Sequence, residues 1–369
     1  MLGRHAAAVV DAASCRLEVF VDDPIFVFSV LRQAARVLLL WQAYGFPLAW
    51  DKAQGGKRVS WTGATFDVSS PQLPSIAIED HRRSALVSEL RALLDGRRQT
   101  VPRKFLRSLG GSLSQITSII PYASGFCASF HALGAGGLPN ELVLVKQCQH
   151  DAIWLLWVLE RIPRRPLLLP RSSPDSTWRM ETDASLEAMA AVLYRGPSPI
   201  AFLVAPVGQA DLLPFARREN ECITAEPRHQ AFLEFNAINI GAQVFLPLVC
   251  QLSAAQEGGA VAMSVKGDSV AALADTLRLR GKGVGMNWVG RELCLTAAIH
   301  LVHWHVIEHI AGSANFLPDA LSRPGAAARH AEAKRRLQVL GARELPLEPR
   351  EAAFWRTQRS PPAETLPRQ

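Results

Sequence analysis

The chain has 369 residues, enough for two or three domains, and its 49% hydrophobic and 20% charged content marks an ordinary folded protein rather than a disordered or fibrous one. A formal charge of +7 and a pI near 9.3 favour a polyanionic partner such as nucleic acid, although net charge bears on association and not on fold. The six cysteines (Cys15, Cys127, Cys148, Cys222, Cys250, Cys294) lie far apart with no C-x-x-C pair, which argues against a zinc ribbon or a disulfide framework and suits a reducing, intracellular compartment.

Ala6 to Val10 form only a short apolar run broken by Asp11, so no secretory signal is expected. Val37–Leu40 and Ala152–Leu159 fall short of the about 20 apolar residues that a bilayer-spanning helix needs, and no membrane partner is expected. The residues after Met1 run into a strand without a capping signal, so the chain is expected to begin inside a larger coding region.

Arg16 to Phe28 reads as two β-rich runs around an Asp22-Asp23-Pro24 turn, a hairpin signal. A helix is predicted over Val30–Tyr44, stopped by Gly45 and Pro47. Short strands follow near Lys57–Thr62 and Thr65–Val68, and Ser69–Pro74 reads as a boundary. From His81 to Leu94 the apolar residues Leu86, Val87, Leu90, Leu93 and Leu94 recur at helical spacing, with Arg82, Arg83 and Arg91 off that stripe. A second basic helix is predicted over Pro102–Ile120, carrying Arg103, Lys104 and Arg107, with Gly110-Gly111 loosening its middle. Asn140–Leu159 is predicted as a third helix, and the Pro- and Arg-rich Arg161–Pro174 as a linker.

Beyond that linker the pattern changes. Strands are predicted at Thr177–Thr182, Met189–Tyr194 and Ile200–Val204, then a helix at Arg228–Ala242 and a buried strand at Ala260–Val265. Helices at Asp268–Leu279 and Asn287–Leu301, a strand at Val302–His309 and a helix opening near Pro318 complete a mixed α/β order, with a central sheet covered by helices. Past Pro324 a charged, later Pro-containing tail is expected, with a helical patch near Ala326–Leu340. The expected organisation is therefore 1–75, 76–174, 175–325 and a tail over 326–369.

Four carboxylates punctuate the second half. Asp183 closes its first strand, Glu234 lies within the first long helix, Asp268 follows the buried strand and Asp319 opens the last helix. Magnesium is a hard cation that takes oxygen ligands, so a site acting on phosphodiesters collects carboxylates. Two such ions about 4 Å apart can hold the attacking water and the leaving oxygen of an in-line displacement. The plainer reading of each acid is a turn former or a helix cap, with Asp268 and Asp319 both well placed as N-caps.

The order Asp, Glu, Asp, Asp on these elements resembles type 1 ribonuclease H. The run His309-Ile-Ala-Gly-Ser-Ala-Asn-Phe-Leu-Pro-Asp-Ala-Leu-Ser-Arg323 is similar to the H-I-P-G-x-x-N-x-x-A-D-x-L-S-R closure of retroelement ribonuclease H domains. The resemblance implies that Asp183, Glu234, Asp268 and Asp319 bind two Mg2+ or Mn2+ ions, and that His309 is the mobile histidine assisting proton transfer or product release. It also implies that Asn315 is the Asn preceding the last acid, placed among the nucleic-acid contacts, and that Ser269 stands where the family often has Asn or Ser.

The first half resembles the end of a reverse transcriptase palm. Phe20-Val-Asp-Asp23 is similar to the [YF]-x-D-D hairpin, Gly45-Phe-Pro-Leu-Ala-Trp-Asp-Lys52 to the G-F-x-L-x-x-x-K stretch, and Trp61-Thr-Gly63 to the primer-grip turn. By that likeness Asp22 and Asp23 are polymerase metal acids and Lys52 the motif lysine near the incoming nucleotide. The whole is closest to gypsy-like and tyrosine-recombinase-type retroelements: a partial palm, a helical thumb and connection, then ribonuclease H. The implied partners are an RNA–DNA hybrid or primer-template, with Arg82, Arg83, Arg103, Lys104 and Arg107 as phosphate contacts.

Some positions depart from the pattern. Only about twenty residues precede Asp22, so a third polymerase Asp is missing and no DNA synthesis by this chain alone is expected. Ala188 and Ala190 replace usual glycines, where a positive φ would be strained. Ala311 replaces a common Pro, and Pro318 takes the place before the last acid. The alternatives are a remnant that folds and binds nucleic acid without turnover, and an integrase-like nuclease, which would use three acids ending in Glu.

Overall fold

The computed structural model describes residues 15–20, 23–28, 31–45, 51, 53–70, 74–162, 164–166, 178–216, 221–254, 261–281, 283 and 285–347. Strands β1 (Cys15–Phe20) and β2 (Asp23–Phe28) pair antiparallel with Phe20 opposite Asp23. Helix α1 (Leu31–Ala43) follows and buries Ala34, Val37 and Trp41, the one-sided spacing of a surface helix. Strands β3 (Arg58–Trp61) and β4 (Ala64–Asp67) are joined by Thr62 and Gly63, at φ 48° and 85°. Positive φ at both central residues gives a two-residue turn whose twist matches that of the strands. Strand β5 (Ser75–Ile78), just past the expected Ser69–Pro74 boundary and not foreseen in the sequence, adds to β4.

The chain then leaves this sheet for a helical block: α2 (Asp80–Leu94), β6 (Thr100–Pro102), α3 (Arg103–Ile119), α4 (Ala128–Gly134), β7 (Leu142–Leu144) and α5 (Gln149–Arg161). The helix predicted from Asn140 starts only at Gln149. Leu142 and Leu144 are exposed while Val143 and Val145 are buried, an alternation that a count of apolar residues at helical spacing conceals. Gly110 does not loosen α3. A Cβ there would lie 3.3 Å from His131 Nδ1, so the bare backbone lets α4 pack close. The expected linker also carries structure: β8 (Arg164–Pro166) pairs with β5 as the edge of a β3-β4-β5-β8 sheet, the position in which a strand proline is tolerated.

The second half contains β9 (Trp178–Ala184), β10 (Ala188–Arg195), β11 (Ser198–Pro206), the short α6 (Gln209–Leu212), α7 (Gln230–Ala254), β12 (Val261–Gly267), α8 (Val270–Arg278), α9 (Met286–Ile299), β13 (Val302–His309), α10 (Phe316–Leu321), α11 (Ala327–Val339) and β14 (Arg343–Glu344). One sheet runs in the order β13-β12-β9-β10-β11-β14. Its β9, β10 and β11 are antiparallel neighbours, and β12 lies parallel to both β9 and β13. This is the mixed α/β class expected from the sequence, with a mixed central sheet flanked by helices. Ala188 and Ala190 lie in β10 as ordinary, fully buried strand residues and neither is at positive φ, so the feared strain is absent there.

Helix α7 outruns its predicted end at Ala242 by a further twelve residues to Ala254, continuing through Pro247. Pro227–Ser253 is long and apolar enough to cross a membrane by length and composition, yet 78% of its most apolar stretch is buried within the protein. It packs on β9 and β10, where Gly241 permits the approach: a Cβ would sit 2.6 Å from Met180 Sδ and 3.0 Å from Ala191 Cβ.

A continuous core joins the helical block to the second sheet. Tyr122 Oη donates to the Val302 carbonyl at 3.2 Å, Ser124 Oγ to that of Arg278 at 2.9 Å, and Arg291 Nη2 to Asp151 Oδ2 at 2.7 Å. The segment after Pro324, expected as a tail, is folded at least to Leu347. Ala333, Leu337 and Ala342 are buried with Ala190, Val192 and Phe202 against the other face of the sheet, and β14 extends the sheet at β11.

Candidate metal centre

Asp183, Glu234 and Asp268 converge, each offering a carboxylate oxygen within 4.8 Å of the others. The sheet sets this geometry. Asp183 sits near the C-terminal end of β9, and β12 lies parallel beside β9 and delivers Asp268 just past its own end. Glu234 projects from the first turns of α7, which crosses β9. Asp268 is free to join them because Ser269 caps α8, its Oγ accepting from the Ala272 amide at 3.4 Å. The N-cap of α10 is likewise Asn315 and not Asp319.

Asp183 is 2% exposed and Glu234 8%. Burial pushes Asp183 up to about 7; the Ser322 hydroxyl opposes this, while Asp268 and Asp319 add to it. Burial, then the neighbouring Asp183, pushes Glu234 up to about 8, against a hydrogen bond from Gln230. Carboxylates gathered out of water resist ionisation until a cation offsets their charge. An all-oxygen donor set of this kind fits a hard divalent ion such as Mg2+ or Mn2+.

Residues outside the expected set orient these acids. Ser322, itself buried, donates its hydroxyl to Asp183 Oδ2 at 2.5 Å. Gln230 Nε2 donates to Glu234 Oε1 at 2.7 Å and to the Ala184 carbonyl at 2.6 Å, linking α7 to β9. Their signals in the sequence were faint: Gln230 lies four residues before Glu234 on one helix face, and Ser322 sits inside the closing motif.

The remaining candidates separate. Asp319 lies within the first turn of α10, near Asp183, but its carboxylate pairs with Arg323 Nη2 at 2.6 Å and with Arg329 Nη2 at 2.9 Å. Asn315 is fully buried, which removes it from contact with nucleic acid in this structure; its Nδ2 donates to the Thr182 carbonyl at 2.9 Å and ties the α10 loop to β9. His309 ends β13, exposed and opposite Gly267 in register. Asp22 and Lys52 lie outside the described residues, and Asp23 opens β2.

The basic candidates on the helical block are unequally placed. Arg103 is committed to structure, bonding Glu141 and the Leu133 carbonyl with its side chain 17% exposed. Arg82 pairs with Glu79 and lies over the β3–β4 turn, where a Cβ at Gly63 would meet its guanidinium at 2.6 Å. Arg83 pairs with Asp80. Lys104 and Arg107 are exposed, Arg107 Nε donating to the Gly134 carbonyl.

No protein-family model matches the chain, and no curated protein matches it. Among solved structures it is similar to a foamy viral protease-reverse transcriptase dRH in complex with double-stranded DNA, at 13% identity and a TM-score of 0.35 over 84% of this chain and 48% of that one. It is also similar to a foamy viral protease-reverse transcriptase with double-stranded DNA (13%, 0.33, 80% and 55%) and to one with an RNA/DNA hybrid (14%, 0.35, 80% and 36%). The chain thus spans between 36% and 55% of the length of these structures. Likeness at this distance carries no argument about activity, which rests on the site itself.

Proposed function

We propose that the second half of the chain is a divalent-cation-dependent nuclease of ribonuclease H type, acting on the RNA strand of RNA–DNA hybrids. The observation that carries this reading is the meeting of Asp183, Glu234 and Asp268 within 4.8 Å. Asp183, Glu234 and Asp268 hold the cation, which when bound polarises the phosphodiester and makes water a better nucleophile. Ser322 and Gln230 fix the acids in position. In the reaction a water gives up a proton as its oxygen bonds to phosphorus, the bond from phosphorus to the 3′ oxygen breaks, and that 3′ oxygen takes a proton. His309, exposed beside the cluster at the end of β13, is our choice for handling that proton. Lys104 and Arg107 hold the duplex backbone without reading sequence. In this reading residues 1–75 are the end of a polymerase palm and 76–174 a thumb and connection.

The test is cleavage of an end-labelled RNA–DNA hybrid in Mg2+ and in Mn2+, beside an Asp183→Asn control. Metal-dependent cutting of the RNA strand alone, lost in the variant, is the expected result. Binding of the hybrid by folded protein without cutting favours a second reading, a fold that holds nucleic acid without turnover. The capture of Asp319 by Arg323 and Arg329 is the observation on that side.

A further inference from the structure

We infer that Arg329, on the helix beyond the closing motif, decides whether a second cation enters this centre; the inference rests on reading the three-acid cluster as a cation site. Among the described residues the three acids of the cluster form no ion pair, whereas Asp319 forms two, one through each oxygen. Asp319 is also a neighbour of Asp183, since its charge bears on that carboxyl. Two guanidinium groups therefore stand where a second divalent ion would need both the oxygens and the negative charge of Asp319. A fixed positive charge at such range opposes a dication and occupies the acceptor sites it would use.

The two arginines are not equivalent. Arg323 is four residues from Asp319 across the end of α10, a contact that the local helix maintains. Arg329 reaches over from α11, also lies 5.3 Å above the Phe316 ring, and its side chain is 50% exposed. It can swing into solvent without disturbing the core, and a phosphodiester backbone would offer it another anion. Arg329 is thus a positioning residue that holds Asp319 away from a cation until another partner draws it off.

Titration of the full chain with Mn2+, followed by the magnetic resonance signal of the free ion, tests this. The wild type should bind one ion tightly and a second only weakly, and Arg329→Gln should raise the affinity for the second by about fivefold or more, the lower end of ordinary site coupling. Arg329→Lys, which keeps the charge, should behave as wild type, and Asp319→Asn added to Arg329→Gln should abolish the second ion. Thermal melts check that each variant is folded. One bound ion with no response to Arg329→Gln, or a gain that survives Asp319→Asn, overturns the inference alone. No ion bound by any folded form overturns the cation-site reading and this inference with it.

Discussion

Ser322 and Asp183 are 139 residues apart in sequence and are joined by a single hydroxyl that donates to the carboxylate at 2.5 Å. The carbonyl of Ser322 also accepts from Ser185 Oγ, so the turn after α10 grips the end of β9 at the acid and again two residues beyond it. The last motif of the chain thereby positions the first acid of the cluster.

Ser322→Ala removes the donor that favours ionised Asp183. Hydrogen bonds to charged groups are worth roughly 1.5–3 kcal/mol, so divalent-cation affinity should fall by about tenfold or more while the fold persists. Isothermal titration with Mg2+ or Mn2+ checks this, and unchanged affinity refutes the positioning role.

The buried acids also set a pH dependence. Asp183 and Glu234, at about 7 and about 8, lie above ordinary carboxylates, so the folded state holds protons that the unfolded chain has released. Their contribution to stability is fully present below about pH 4 and is lost as pH rises through 7 to 8. Without divalent ions, an Asp183→Asn, Glu234→Gln double variant should gain in melting temperature over the parent between pH 5 and 9. A difference that does not change with pH in thermal melts would contradict the burial argument.

Asp151, 1% exposed, and Arg291 form an ion pair between α5 and α9. Removing one partner of a buried pair costs about 3–5 kcal/mol because the other is left uncompensated. Arg291→Met alone should therefore lower the urea midpoint sharply, and Asp151→Leu added to it should restore much of the loss.

Thr62 carries a β-branched side chain at φ 48°. The left-handed conformation costs a non-glycine residue roughly 1–2 kcal/mol, and asparagine tolerates it better. Thr62→Asn should raise the denaturant midpoint by the equivalent of about 1 kcal/mol, whereas Thr62→Val should not.

Much of the second half was legible in the sequence because its strands and helices alternate clearly and its acids fall at their ends. Asp268 illustrates what was not. In the sequence Asp268 reads as a good cap for the helix that follows it, and only the backbone shows that Ser269 takes the cap. The destination of Asp319 was similarly hidden, since Arg329 lies in a stretch that composition describes as a charged tail. The helical patch expected near Ala326–Leu340 is present, and Ala333 and Leu337 supply what composition does not show: a small buried face is enough to dock a helix whose remaining surface is charged. Strand β8 escaped notice because pairing with β5 over nearly ninety residues of chain leaves no local signature.

That pairing limits how the molecule can move. The block from α2 to α5 departs after β5 and returns through β8, with Ser75 facing Pro166 and Ala77 facing Arg164. A body attached through two adjacent strands has one axis left to it, a swing about the line those strands define. The bonds from Tyr122 and Ser124 to the second half oppose that swing. Any swing of the block away from the second half must break those two bonds together with the Asp151–Arg291 pair, and the cost of such a swing is set far from the acids themselves.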